Sequence, residues 1–220
     1  ELLYLLPENS SSLPRHIASN DSTDRHLDGI EMTIPQSTTG SYDVRDILKQ
    51  VFDDGIITEI RREWATNLVT ALATIGGHPV GIVANQPQSL AGTLNITASQ
   101  KGARFVSFCD AFNLPIITFV DTPGFQPGKD LEWRGMIRHG AQLAFAYAQA
   151  TTPRICITLR KSYGGAYIVM DSKYMGNDLS ISWPSAEIAV MGAKGAVEVL
   201  HRNATPAERL ILETEYEDRL

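Results

Sequence analysis

A chain of 220 residues with 43% hydrophobic residues and a mean hydropathy of −0.10 is long enough for one domain with a sizeable core, plus an appendage. A formal charge of −6 and a pI near 5.4 argue against nucleic acid or an anionic membrane as the main partner. No apolar run approaches the roughly 18 residues of a membrane span, and Cys109 and Cys156 sit among apolar neighbours as reduced core residues of a cytosolic protein would.

Glu1 opens the chain without a methionine, and Leu2, Leu3, Leu5 and Leu6 have the pattern of a helix tail halted by Pro7. No basic stretch precedes them, which argues against a signal peptide. Ser10 to Gly40 is rich in Ser, Thr, Asn and Asp, lacks apolar periodicity and reads as a linker or surface loop. Residues 1–40 are expected to be the end of a preceding domain and a polar linker, with order beginning at Ser41. Residues 41–220 are expected to form one domain, truncated at its C-terminus, so that the chain is a piece of a longer polypeptide.

Val44, Ile47, Leu48, Val51 and Phe52 fall at helical spacing and predict an amphipathic helix stopped by Gly55. Asn67 to Ile75 and Pro79 to Asn85, rich in small and β-branched residues around Gly76-Gly77-His78, predict a hairpin. Asn95 to Asn113 predicts a helix with Phe105, Val106, Cys109 and Phe112 on one face. Leu114 to Asp121 is a continuous apolar run, as a strand buried on both sides requires. Trp133 to Ala150 predicts a helix, Arg154 to Arg160 a strand, Glu187 to Met191 a short strand and Gly192 to His201 a helix. Thr205-Pro206-Ala207-Glu208 is a capping box with proline at the first helical position, opening a helix that runs to Leu220 uncapped. Strands alternating with crossover helices give an α/β class with mostly parallel pairing.

The densest chemical signal is Lys161-Ser162-Tyr163-Gly164-Gly165-Ala166-Tyr167, where an apolar strand meets a glycine pair and a segment able to turn into a helix. Glycine tolerates positive φ and lets the backbone approach a ligand, and the N–H groups of a first helical turn lack internal acceptors. Such a turn can hold a developing oxyanion with backbone donors alone; the same pair also suits a plain βα turn. Asp121-Thr122-Pro123-Gly124 ends a buried strand, where α/β proteins place ligands, and it matches the D-x-x-G of a nucleotide switch. That reading needs a phosphate loop upstream. The nearest approach, Gly124 to Asp130, lies downstream, is one residue short and carries Asp130 where a hydroxyl belongs. Pro123-Gly124 is therefore read as a pocket-shaping turn.

The histidines show no metal-ligand spacing, and no nucleophile elbow supports Ser162 or Ser172. His139 reads as a hydrogen-bonded structural histidine. Asp130, Glu132, Asp171 and Glu187 read as solvated surface carboxylates. Lys101-Gly102-Ala103-Arg104 and Lys194-Gly195-Ala196 fit close helix packing as well as they fit a phosphate contact. Glycine turns at strand ends, without a convincing catalytic side chain, favour catalysis by backbone donors.

The blocks Gly81 to Pro87, Lys101 to Val106, Cys109 to Asn113, Phe119 to Phe125, Ile137 to Ala141, Arg160 to Tyr167 and Trp183 to Val197 occur in an order that resembles one family. It is the carboxyltransferase β subunit of biotin-dependent acyl-CoA carboxylases of the propionyl-CoA and acetyl-CoA type, in its C-terminal half. The resemblance implies a crotonase-like β-β-α superhelix with mostly parallel sheets flanked by helices, two such halves per subunit, and a hexamer. Active sites would lie between the N-terminal half of one subunit and the C-terminal half of another. It implies a cytoplasmic enzyme moving a carboxyl group to the α-carbon of a short-chain acyl-CoA. The donor would be carboxybiotin on a separate carrier, charged by a biotin carboxylase subunit, with no metal in this domain.

By motif, the Gly165 and Ala166 N–H groups would form the oxyanion hole for biotin, with Tyr163, Gly164, Ile168, Pro123 and Gly124 lining the substrate site. Ile168 stands where the family sets acyl-chain preference, and an aliphatic residue there hints at short chains including acetyl. The N-terminal half, with its thioester hole, is outside these blocks, so the chain alone is expected to be inactive. The carboxyltransferase subunit of a biotin-dependent decarboxylase and a non-catalytic assembly domain are the alternatives. A scaffold has no need of an intact Gly164-Gly165-Ala166.

Overall fold

Apolar side chains on both faces of the central strands decide the architecture, because each face must then be covered. The computed structural model describes residues 2–37 and 39–217. In chain order the elements are α1 (Val44–Val51), β1 (Ile57–Glu59), β2 (Leu68–Ile75), β3 (His78–Asn85), α2 (Ile96–Ala111), β4 (Ile116–Thr122), α3 (Lys129–Trp133), α4 (Met136–Gln149), β5 (Arg154–Tyr163), α5 (Gly164–Val169), β6 (Leu179–Ser182), β7 (Glu187–Ala189), α6 (Ala193–Leu200) and α7 (Pro206–Glu217). The described strands form one sheet in the order β1-β2-β3-β4-β5-β6, and β7 also pairs with β5. The β1–β2 and β2–β3 pairs are antiparallel. All later pairs are parallel.

The period of two sorts the strands' side chains. Leu68 and Leu72 of β2 and Ile116 and Val120 of β4 join Phe105, Val106 and Cys109 of α2 and Leu143 and Tyr147 of α4 on one side. Val69 and Ala71 of β2 and Ile117 and Phe119 of β4 meet Val44, Ile47, Leu48 and Phe52 on the other. Asn95 caps α2 by accepting from Ala98 N–H at 2.9 Å. The predicted hairpin, helices and buried strand are thus present, and both cysteines are buried and free.

Some expectations change. The helix read from Trp133 is interrupted at Gly135, whose φ of +83° separates α3 from α4. β5 runs on to Tyr163, and β6 and β1 have no counterpart in the sequence reading; β6 is four residues long and exposed throughout. Leu2–Tyr4 makes a single 3-10 turn instead of a helix tail, with Leu5 and Leu6 against the α2-side core. The described residues of the polar stretch up to Gly40 have little regular structure, yet they are fixed to the domain before Ser41. Ile17 N–H donates to Gly77 O at 2.8 Å, Arg25 Nη2 donates to Val51 O at 2.7 Å, and Ile34 is buried. The reading of the last helix beyond Glu217 lies outside the described residues.

Candidate active site

β3, β4 and β5 point their C-terminal ends the same way, and the turn from β5 into α5 lies at that end. Gly164 makes the turn at φ +59°, where a Cβ would also come within 3.1 Å of Val190 O. Gly165 and Ala166 follow in the first turn of α5, and neither N–H has an acceptor among the described residues. Gly165 is exposed and Ala166 is fully buried, its methyl in the core.

The loop after β4 closes one side. Gly124, at φ +143°, would carry a Cβ into open space, and its carbonyl accepts Leu94 N–H at 3.0 Å. That leaves the next residue, Phe125, with its ring between Gly140 of α4 and Gly165 of α5. A Cβ on Gly140 would stand 2.8 Å from the ring and one on Gly165 3.3 Å. Pro123 and Gly124 are half-buried and reach the α5 turn through Phe125. On the other side, buried Tyr163 donates its hydroxyl to Glu187, and its ring packs on Gly192. Burial first and the Glu187 carboxylate second push the Tyr163 phenol above its ordinary pKa. Ile168 is 48% exposed, one turn into α5 from the free amides. The predicted site residues therefore gather at one strand end.

Two carboxylates expected at the surface are not solvated there. Asp171 is not solvated: it is fully buried and paired with Arg154. Glu187 is half-buried on Tyr163, whereas Asp130 and Glu132 are exposed as expected. The hydroxyls of Ser162 and Ser172 are buried without a hydrogen-bond partner among the described residues, so no base activates them. His139 bonds to Gln100 and Gln142. Lys101 donates to Leu68 O at 2.6 Å, and burial pulls its pKa down to about 8; Gly102 beside it packs on Leu143 and Leu68. No group of three or more metal-ligating side chains converges among the described residues.

Phe125, Gly140 and the surroundings of Asp121 escaped the sequence reading. An acid closing the otherwise apolar run Leu114 to Asp121 was the available signal, since a buried carboxylate must have partners. What remains chemically is a pair of backbone donors beside an aromatic wall, able to hold an oxygen that gains negative charge.

The carboxyl transferase domain profile matches residues 1–216. The chain belongs to this family. As a member of the carboxyl transferase domain family, it is 48% identical over 206 residues to the propionyl-CoA carboxylase carboxyltransferase subunit of Haloferax mediterranei, covering 94% of this chain and 40% of that protein. It is 47% identical over 236 residues to the biotin-dependent acetyl-/propionyl-coenzyme A carboxylase beta5 subunit of Mycobacterium tuberculosis, covering 100% of this chain and 43% of that one. The crystal structure of the transcarboxylase 12S hexamer with methylmalonyl-coenzyme A and methylmalonic acid bound superposes with a TM-score of 0.95 at 44% identity, over 100% of this chain and 43% of that one. The chain thus has the crotonase-like α/β fold of carboxyltransferases and spans about two fifths of the length of these relatives. No described helix is long and apolar enough to cross a membrane.

Proposed function

We propose that this chain supplies the biotin side of a carboxyl transfer site in an acyl-CoA carboxylase carboxyltransferase subunit. The observation that carries the reading is the pair of amides at Gly165 and Ala166, which have no acceptor among the described residues and follow the end of β5, Gly165 exposed and Ala166 buried beneath it. They fit an acceptor that is neutral at rest and charged in the transition state, as a ureido oxygen is. When bound, biotin supplies a carboxyl group whose departure leaves negative charge on that oxygen.

The chain's own part is then electrostatic. The two N–H groups are held in place before the charge develops, and a donor of this kind is worth roughly 100-fold or more in rate. Phe125 packs on Gly165 and walls one side of the turn. No described side chain at the turn is placed as a base, so the acyl-CoA proton would leave to a group outside this chain's side chains.

The names of the relatives support propionyl-CoA or acetyl-CoA as acceptor, a biotin-bearing partner and a hexameric subunit. Ile168, aliphatic and exposed beside the turn, agrees with a short acyl chain. Residues 41–220 would be the biotin-side domain and residues 1–40 its lead-in. Two buried free cysteines suit a reducing, cytoplasmic location.

The test is Ala166→Pro, with Gly165→Val beside it, in the complete subunit supplied with biotin and acyl-CoA. Proline removes the Ala166 N–H in a first turn, where helices accept it best, and valine would drive its side chain toward Phe125. Both folded variants should lose at least about 100-fold in carboxyl transfer. Retained transfer in a folded Ala166→Pro subunit would overturn the assignment.

A further inference from the structure

The carboxylate of Asp121 takes no part in that chemistry, and its surroundings give it a different task. Val120 pairs with Thr158 and Thr122 with Ser162, so residues 159–161 of β5 stand against residue 121 of β4 alone. The excess turns Leu159 and Arg160 to the same side of the sheet, Leu159 into the α1-side core and Arg160 to Asp121. A bulge leaves a strand amide without its ladder partner. Here Lys161 N–H donates to Asp121 Oδ1 at 3.1 Å. Asp121 Oδ2 accepts Arg160 Nε at 3.1 Å and the Tyr42 hydroxyl at 2.8 Å, and Arg160 Nη1 continues to Ser37 O at 3.1 Å. Asp121 is 1% exposed, so protein donors alone satisfy it.

We propose that Asp121 is a positioning residue. From the face of the sheet opposite α5, its carboxylate locks the β5 bulge and so fixes the direction of the Gly165 and Ala166 amides. The distance along the chain is short: after Lys161 come only Ser162, which re-enters the ladder against Thr122, then Tyr163 and the Gly164 turn. Asp121 also begins the segment that ends in Phe125, so both walls of the turn are referenced to one side chain. The inference rests on the role given above to Gly165 and Ala166.

Asp121→Asn and Arg160→Met in the complete subunit test it, with free biotin and methylmalonyl-CoA as the assay pair. Asp53→Asn is the control. Asp53 is another buried carboxylate, accepting Gly76 and Gly77 N–H at 2.9 and 2.8 Å at the opposite end of the β2–β3 hairpin. Asp121→Asn is expected to lower kcat at least about tenfold, and Arg160→Met at least about threefold, with KM for the acyl-CoA within about twofold. Asp53→Asn should keep kcat within about twofold at a comparable loss of Tm. A folded Asp121→Asn or Arg160→Met subunit with wild-type kcat would overturn the proposal, as would equal activity loss in Asp53→Asn. Amide exchange in the 220-residue chain separates this from the function itself. Exchange over residues 161–163 should quicken at least about tenfold in Asp121→Asn and stay unchanged in Asp53→Asn. Unchanged exchange in Asp121→Asn sinks the lock even if wild-type transfer is absent.

Discussion

Asp121 and Asp171 are both buried beside an arginine, yet they are solvated by the protein to different degrees. Both oxygens of Asp121 accept hydrogen bonds. Asp171 meets Arg154 through Oδ1, while Oδ2 is buried with no partner among the described residues. Desolvation therefore dominates at Asp171 and raises its pKa from 3.8 to about 6, against the opposing attraction of Arg154. A native pKa above the unfolded one means that the folded state prefers the protonated acid. Its contribution to stability is then full below about pH 4 and is lost as pH rises through about 6. Urea unfolding of wild type and Asp171→Asn over that range should show the difference moving against the wild type between about pH 4.5 and about pH 6.5, then levelling. A difference independent of pH would mean that the carboxylate is fully compensated where it lies.

At the scale of elements, the packing of α2 on β3 depends on a glycine that the sequence reading passed over. A Cβ on Gly81 would overlap Cys109 Sγ and press on Phe105 at 3.4 Å. Gly81→Ala is expected to cost about 1–3 kcal/mol by overpacking. In a Cys109→Ala background at least half of that should disappear, read from denaturant midpoints in a double-mutant cycle. An equal cost in both backgrounds would place the strain elsewhere. The elements legible in the sequence are those whose own period declares them: α1 by its stripe, the hairpin around Gly76-Gly77, and β4 by an apolar run buried on both faces. The end of β5 was not legible, because a bulge breaks the period just where the chain approaches the site. Nor was the partner of Asp121 legible. Tyr42 lies 79 residues away, and the pair is brought together only when α1 covers the sheet. Asp171 misled for a related reason, since the fold alone sets Arg154 against it.

For the whole molecule, the α/β class and the Gly-Gly-Ala turn are legible in the sequence, because crossover helices and a glycine pair at a strand end are local signals. A division of labour between halves of a subunit is not local. Carboxyl transfer to an acyl-CoA develops negative charge twice, on the donor's ureido oxygen and on the acyl thioester. The Gly165 and Ala166 amides are the pair proposed for the first, and the chain spans about two fifths of its relatives' length. The two-half reading puts the thioester's donors in the other half, and loss of a single oxyanion donor typically costs about 100-fold, so these residues by themselves should turn over below detection. The 220-residue chain, purified and given free biotin with methylmalonyl-CoA, is expected to show no transfer above background. The same residues within the complete subunit should be active under identical conditions. Transfer by the chain alone, abolished by Ala166→Pro, would show that both charges are held within these residues and would end the two-half reading.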